Sequence, residues 1–364
     1  MAPFKPIPLL GIASALLTFI SVHYFLVLPL TRQYVLQVTR TSAPVSAPAE
    51  PHLANATFVV LCRNEDLGKV LVSVQEMEDR FNARFGYPWV FLNDKPFDPN
   101  FMSRVRAVTR APVAFGLIPR EQWQQPEWIN TTRAELVRKS MKLSRIPHGG
   151  SLRHRNMYRF NAGFMFRHKL LSKYKYYWRV EPGAHYFCDL SYDPFLLMQR
   201  QNKTYGFNMA PHEVQQTILM LWENVYDYIM ERVAVQHEGN MWRFLTDDGG
   251  DTYTFCHYEG SFEIMDMDFL RGADYIDFFD YLDRKGGIYY ERWGSAPIIS
   301  IATSLFLRRD QVHFFEDIGY RHEERQHCPQ GDAHVRGRCS CDPADNFDRG
   351  AGSCLSRWEE LRWQ

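Results

Sequence analysis

The sequence predicts an α/β fold in which a mainly parallel sheet is flanked by helices and preceded by one transmembrane helix. Three observations predict it: short apolar, β-branched runs that each end in polar residues, a helical repeat between the first two of them, and a long uncharged stretch at the N-terminus. The apolar share of 45% is enough for a substantial core in a chain of 364 residues, and the length suits an anchor plus one large domain or two closely packed lobes.

From the N-terminus onward, residues 7–30 contain no lysine, arginine or acidic residue. About 20 helical residues cross a bilayer, whereas the apolar core of a signal peptide is only roughly 7–15 residues long. Residues 1–6 therefore read as a short cytoplasmic tail and 7–30 as a signal anchor. Lys5 on one side and Arg32 on the other give a weak orientation bias. Residues 31–55 read as a stem, because Thr-Ser-Ala-Pro-Val-Ser-Ala-Pro-Ala-Glu-Pro from Thr41 cannot bury a core. The sequons at Asn55, Asn130 and Asn202 all follow the anchor, which favours a lumenal body over residues 56–364 and a single-pass type II topology.

Lysine plus arginine and aspartate plus glutamate both number 42, so no basic excess exists to hold a nucleic acid, and none is expected as a partner. Four of the seven cysteines follow residue 327, and in an oxidising compartment the tail 327–364 reads as stapled by disulfides, with one thiol left over. Zinc is the competing reading of Cys339-Ser-Cys341 with His327-Cys328, although the spacing matches no standard zinc module.

In the body, Thr57-Phe-Val-Val-Leu-Cys62 reads as a strand buried on both faces. Val70, Val74, Met77 and Phe81 recur at helical spacing, so a helix crosses back to a second strand, Trp89–Leu92, which makes the pair parallel. A third strand, Tyr176–Val180, runs into Glu181-Pro-Gly183. Ligands of open α/β sheets bind beyond the carboxyl ends of the strands, which makes Arg63–Asp66, Asn93–Asp94 and Glu181 joint candidates for one site. The competing reading is that strand ends are polar simply because turns are.

Glu181 is held in extended backbone by the proline after it; a salt bridge to Arg179 is the alternative use of its carboxylate. Glu263 is flanked by Phe262 and Ile264, which would desolvate it, with Asp266 and Asp268 as competitors that nothing local ranks below it. The stretch His313-Phe-Phe-Glu-Asp-Ile-Gly-Tyr-Arg-His322 offers two imidazoles. Glu291, Arg292 and Trp293, in Tyr289-Tyr-Glu-Arg-Trp-Gly294, either line a sugar site or pack the core ahead of a helical run, Ala296–Leu307.

Phe58-Val-Val-Leu-Cys-Arg-Asn-Glu65, Tyr87-Pro-Trp-Val-Phe-Leu-Asn-Asp-Lys-Pro96, Tyr177-Trp-Arg-Val-Glu-Pro182, Phe262-Glu-Ile-Met-Asp-Met-Asp-Phe269, Tyr290-Glu-Arg-Trp-Gly294 and His313-Phe-Phe-Glu-Asp-Ile-Gly-Tyr320 together resemble the fungal glycolipid 2-α-mannosyltransferase family, glycosyltransferase family 15. The resemblance runs in order from about Ala56 past Pro329. It implies a GT-A-type nucleotide-sugar-binding fold with a mixed, mainly parallel sheet. It also implies GDP-mannose as donor, Mn²⁺ as cofactor, and retaining α-1,2-mannosyl transfer to the mannoside acceptors of O-linked or N-linked glycans, in the Golgi membrane. Carried over by motif, Glu181 and His322 are the expected metal ligands, Glu263 the expected catalytic carboxylate, and Arg63, Asn64, Asp94, Glu291, Arg292 and Trp293 the expected substrate-binding set. Such a donor asks for these groups: a departing diphosphate needs its charge neutralised, and an oxocarbenium-like centre is stabilised by a facing carboxylate.

The chain departs from the family pattern at Ser295-Ala-Pro-Ile-Ile299, where Asp-Ala-Pro-Val-His is usual, at Tyr258-Glu-Gly-Ser261, where Phe-Trp-Ser/Thr-Asn is usual, and over residues 151–160, where extra residues appear. Two other activities stay open at this point, mannosylphosphate transfer within the same family and a non-catalytic, lumenal mannan-binding role.

Overall fold

A computed structural model describes residues 53–232 and 239–362, together with Ile20, Ser21 and Tyr24. The chain divides into two units, Met1–His52 and Leu53–Gln364. Among the described residues no helix is long and apolar enough to cross a membrane. The expected anchor over 7–30 and the stem over 31–55 lie almost wholly outside them.

In the second unit the described strands form a seven-stranded sheet and a three-stranded one. The strands in chain order are β1 Ala56–Leu61, β2 Trp89–Asn93, β3 Val113–Leu117, β4 Tyr176–Val180, β5 His185–Tyr186, β6 Tyr205–Phe207, β7 Phe262–Asp266, β8 Val312–Phe314, β9 Tyr320–His322 and β10 Arg325–His327. The large sheet has the order β3-β2-β1-β4-β7-β6-β8. The pairs from β3 to β4 are parallel, while β7 runs antiparallel to both of its neighbours. The expected helix is present as Leu67–Met77, continued by a wider turn over Glu78–Asn82. The run read as Ala296–Leu307 is the helix Ser295–Phe306.

Alternation along each strand sends side chains to two cores. Phe58, Trp89, Trp178 and Ile264 share one with Val70 and Val74 of the first helix. Phe58 and Trp89 stack there at 4.4 Å between ring centroids. Val59, Tyr177, Tyr205 and Met265 face the other core, with Phe278, Phe279, Ile298 and Ile301 from the C-terminal helices. Ile299 is buried in that second core and Ser295 is buried at the start of its helix, so two of the departures from the family pattern lie inside the protein.

The small sheet, β10-β9-β5, is reached by a tight turn after β4. The Ala184 N–H donates to the Glu181 carbonyl at 3.0 Å, and Gly183 takes φ +86°, a conformation that suits a residue without Cβ. This turn feeds β5, which pairs antiparallel with β9 through His185 with Arg321 and Tyr186 with Tyr320. The end of β4 and the end of β9 are thereby brought side by side.

The tail is stapled as expected. Disulfides join Cys188 to Cys339, Cys256 to Cys354 and Cys328 to Cys341, and buried Cys62 is the free cysteine. His327 pairs with Asp348 at 2.9 Å. Two histidine–cysteine clusters, His212 with Cys256 and Cys354 and Cys328 with His334 and Cys341, each contain a disulfide pair, so their sulfurs are not thiolate ligands. The Cys256–Cys354 bridge closes 98 residues. Replacing both cysteines by serine is expected to cost about 3–5 kcal/mol, read from the denaturant midpoint; a shift below about 1 kcal/mol would show that the tail is held by packing alone.

Candidate active site

Arg63, Asn64, Asp94, Glu181 and His322 lie at the ends of β1, β2, β4 and β9, and Glu263 lies on β7 beside β4. Tyr177, Arg179 and Glu181 alternate onto one face of β4, and the antiparallel register sets Glu263 of β7 directly opposite Arg179. The Arg179 guanidinium is buried between two carboxylates, 3.3 Å from Glu263 and 3.6 Å from Glu181. It also donates to the Gly260 carbonyl at 2.6 Å. Gly260 sits tightly there, since an added Cβ would lie 2.9 Å from the Ala296 Cβ.

Glu263 has its side chain 1% exposed and accepts a hydrogen bond of 2.6 Å from the Tyr177 hydroxyl. A buried polar group needs such partners, and here a guanidinium and a phenol fix its direction. Its two sequence competitors lie elsewhere: Lys175 binds Asp266 at 2.7 Å and Asp268 at 2.8 Å, at the opposite end of β7.

Glu181 has a side chain 19% exposed. Burial pushes its carboxyl up, Arg179 and His322 pull it down, and Glu263 and Glu259 push it further up. Among the described residues neither its carboxylate nor the His322 imidazole makes a hydrogen bond. A half-buried carboxylate and a half-buried imidazole in each other's field, both with lone pairs to give, fit a divalent cation that completes its shell from phosphate oxygens and water.

Glu259 adds a third carboxylate to this field. Burial pushes it up, but Arg325, at 2.8 Å, together with His257 and His322 holds it below the usual range. His257 in turn is lowered by burial and feels Glu213. Glu213 holds Arg292 at 3.1 Å. The Nδ1 atom of His257 and one terminal nitrogen of Arg179 are buried without a hydrogen-bond partner, which a bound polar ligand would supply.

On the other flank, Arg63 is bidentate to Asp66 at 2.9–3.0 Å and bonded to Glu65 at 2.9 Å. Asn64 has both amide atoms engaged, donating to the Pro96 carbonyl and accepting from the Asp98 N–H, so it ties the loop after β1 to the loop after β2. Asp94 is half-buried and acts on Arg63 and Arg153. Buried Cys62 is pushed up first by burial and then by Asp66 and Glu181, which places those two carboxylates around a single thiol. The strand-end residues named from the sequence therefore share one electrostatic neighbourhood.

Glu291, Arg292 and Trp293 are set further back. Trp293 is fully buried and donates to Glu291 at 2.6 Å, and Glu291 also accepts from the Met220 N–H. Arg292 reaches toward the site through the Tyr158 hydroxyl at 3.2 Å and through Glu213. Its charge acts on His154, which burial, stacked His148, Arg153 and Arg292 push down to about 4.

Sequence reasoning did not single out Tyr177, Glu213, His257 or Glu259, and treated Arg179 only as a rival partner for Glu181. Period-two alternation along β4 could have grouped Tyr177 with Arg179 and Glu181. No local signal marks Glu213 or His257, and Glu259 stood out only as a departure from a pattern.

A sequence profile described as glycolipid 2-alpha-mannosyltransferase matches residues 32–363. Glycolipid 2-alpha-mannosyltransferase 2 of Candida albicans is 44% identical over 314 residues, covering 86% of this chain and 68% of that protein. O-glycoside alpha-1,2-mannosyltransferase omh1 of Schizosaccharomyces pombe is 42% identical over 304 residues, covering 84% and 78%. Among solved structures, core-mannan synthase A of Aspergillus fumigatus in its Mn/GDP form superimposes with a TM-score of 0.77 at 36% identity, covering 85% of this chain and 82% of that one.

Proposed function

The chain belongs to the glycolipid 2-alpha-mannosyltransferase family, and from that membership we propose how its own residues divide the work of the reaction. The protein is a retaining α-1,2-mannosyltransferase that moves mannose from GDP-mannose to a mannoside acceptor, with Mn²⁺ as cofactor, on a GT-A-like fold. The metal supplies charge neutralisation for the departing diphosphate.

Glu181 and His322 would hold the metal, as the chemistry of their donor atoms allows. Glu263 faces the anomeric carbon, where its carboxylate stabilises or traps positive charge as the bond to the diphosphate breaks. Tyr177 and Arg179 are positioning residues: each fixes Glu263, and Arg179 keeps Glu263 and Glu181 from repelling one another. Arg63 and Asp94 bind the nucleotide end, Asn64 holds their two loops together, and Glu291, Arg292 and Trp293 shape the wall on the acceptor side. The observation that carries this reading is that Glu181 and Glu263, distant in sequence, share one buried guanidinium, while His322 of β9 acts on Glu181.

For the N-terminus we propose a signal anchor over residues 7–30, a stem over 31–55, and a Golgi type II protein whose body, residues 56–364, is lumenal. Three disulfides suit an oxidising lumen, and Asn55, Asn130 and Asn202 are all exposed for glycan attachment.

The released nucleotide tests the reaction type. Mannosyl transfer liberates GDP, whereas mannosylphosphate transfer liberates GMP. Chromatography of a reaction with GDP-mannose and methyl α-mannoside is expected to show GDP alone; GMP would move the chain to the other activity.

A further inference from the structure

An aromatic cavity is used by none of the roles above. Its volume is about 580 Å³, within the range of small-ligand sites. Trp222 forms a rigid floor: it stacks on Tyr253 at 5.0 Å with the rings 7° from parallel, and its indole N–H donates to the Gly250 carbonyl at 2.7 Å. Tyr226 and Phe255 complete the apolar lining. Phe255 takes φ +63°, a left-handed conformation costly for an aromatic residue and one that clusters at ligand sites.

Two carboxylates, Glu223 and Asp251, stand at the cavity and are exposed. Among the described residues neither side chain has a hydrogen-bond or ion-pair partner. Around them, Leu219, Met220 and Tyr226 are unusually exposed, at 63%, 45% and 38%; exposed apolar clusters of this kind mark contact sites.

The cavity connects to the catalytic cluster through a paired extended segment. The Glu213 N–H donates to the Phe255 carbonyl, the His257 N–H to the Pro211 carbonyl and the Glu259 N–H to the Met209 carbonyl, at 2.8–3.0 Å. Glu259 lies four positions beyond Phe255, roughly 13 Å at most for an extended chain. Glu259 lies in the field of His322 and Glu181. The disulfide from Cys256 to Cys354 fixes the segment next to Phe255.

We propose that this cavity is a remote subsite for a mannose residue of an extended acceptor, bound as the growing chain runs outward from the catalytic cluster. The inference rests on the mannosyltransferase reading. A hexose has an apolar C–H face and a rim of hydroxyls. The aromatic floor takes the first and the two unpaired carboxylates accept hydrogen bonds from the second, a match of ligand and lining that a purely apolar protein segment would not make. That short chain span, roughly 13 Å at most if fully extended, keeps the cavity lining within reach of a short oligosaccharide whose end sugar is being extended.

The test compares α-1,2-mannotetraose with methyl α-mannoside as acceptors and, separately, as ligands in calorimetric titration. Wild type is expected to bind the tetrasaccharide more tightly and to show a lower KM for it. Tyr226→Ala and Glu223→Gln, both at exposed helix positions, are each expected to raise Kd and KM for mannotetraose by about tenfold, the worth of one good contact. Values for methyl α-mannoside should not change. Equal effects on both acceptors, or none on either, overturn the subsite. So does a shift in sedimentation without a change in Kd, which would assign the face to a second copy of the chain. Failure to turn over methyl α-mannoside refutes the transferase reading instead, and the titration still decides whether mannotetraose binds here.

Discussion

Replacing Glu263 by glutamine is expected to lower kcat by at least about 10³-fold while GDP still binds. The substitution keeps the shape of the side chain and an acceptor for the Tyr177 hydroxyl, so the hydrogen bond of 2.6 Å is conserved in kind. What disappears is the negative charge. A neutral amide cannot stabilise an oxocarbenium-like centre by charge, nor attack it. The fold should survive. Arg179 loses one of its two carboxylate partners but keeps Glu181 at 3.6 Å and the Gly260 carbonyl, so the stability cost is about 1–3 kcal/mol. A thermal melt separates that cost from the catalytic one. Wild-type turnover in a well-folded Glu263→Gln variant would remove this carboxylate from the chemistry.

The second large effect is on metal dependence. Glu181→Ala and His322→Ala are each expected to raise the Mn²⁺ concentration for half-maximal activity by about 100-fold or more, since loss of an outer partner alone costs 10–100-fold at metal sites. The free-Mn²⁺ signal in electron paramagnetic resonance gives the affinity directly, apart from turnover. The two variants should differ in kind: Glu181→Ala also strips Arg179 of a partner and should lower stability, while His322→Ala should not, since His322 makes no hydrogen bond among the described residues. If both variants bind Mn²⁺ as tightly as wild type, the metal is held elsewhere, and Glu259, with its charge already neutralised by Arg325, becomes the next carboxylate to replace.

Much of the fold was legible because it depends on local pattern. The runs Thr57–Cys62, Trp89–Leu92 and Tyr176–Val180 are rich in β-branched and aromatic residues, as strands buried on both faces are, and each matches an observed strand to within a residue. The strands β5, β6, β8, β9 and β10 have two or three residues each, too few for a periodic signal, and they exist because neighbours supply hydrogen bonds. β7 carries a chemical motif in the sequence but no strand signal that set it apart. Its antiparallel register, which sets Glu263 against Arg179, follows from tertiary pairing and leaves no trace in the residues around it.

The site divides the same way. Glu181 could be picked out because a carboxylate at the end of a buried strand is unusual, and its salt bridge to Arg179 is present as well. The structural and functional uses of that residue coexist, because one guanidinium serves two carboxylates. Glu263 was indistinguishable from Asp266 and Asp268 on local grounds; Lys175, some ninety residues away in sequence, is what sets the three apart. Glu213, His257 and Glu259 enter only through the pairing of residues 209–213 with 255–259.

The most direct test of the whole account is the product formed by the purified body, residues 56–364, from GDP-mannose, Mn²⁺ and methyl α-mannoside, read by NMR. The account predicts a single α-1,2-linked dimannoside whose formation stops on adding EDTA and resumes with excess Mn²⁺. A β-linked product, a different linkage, or transfer that persists in EDTA would contradict it.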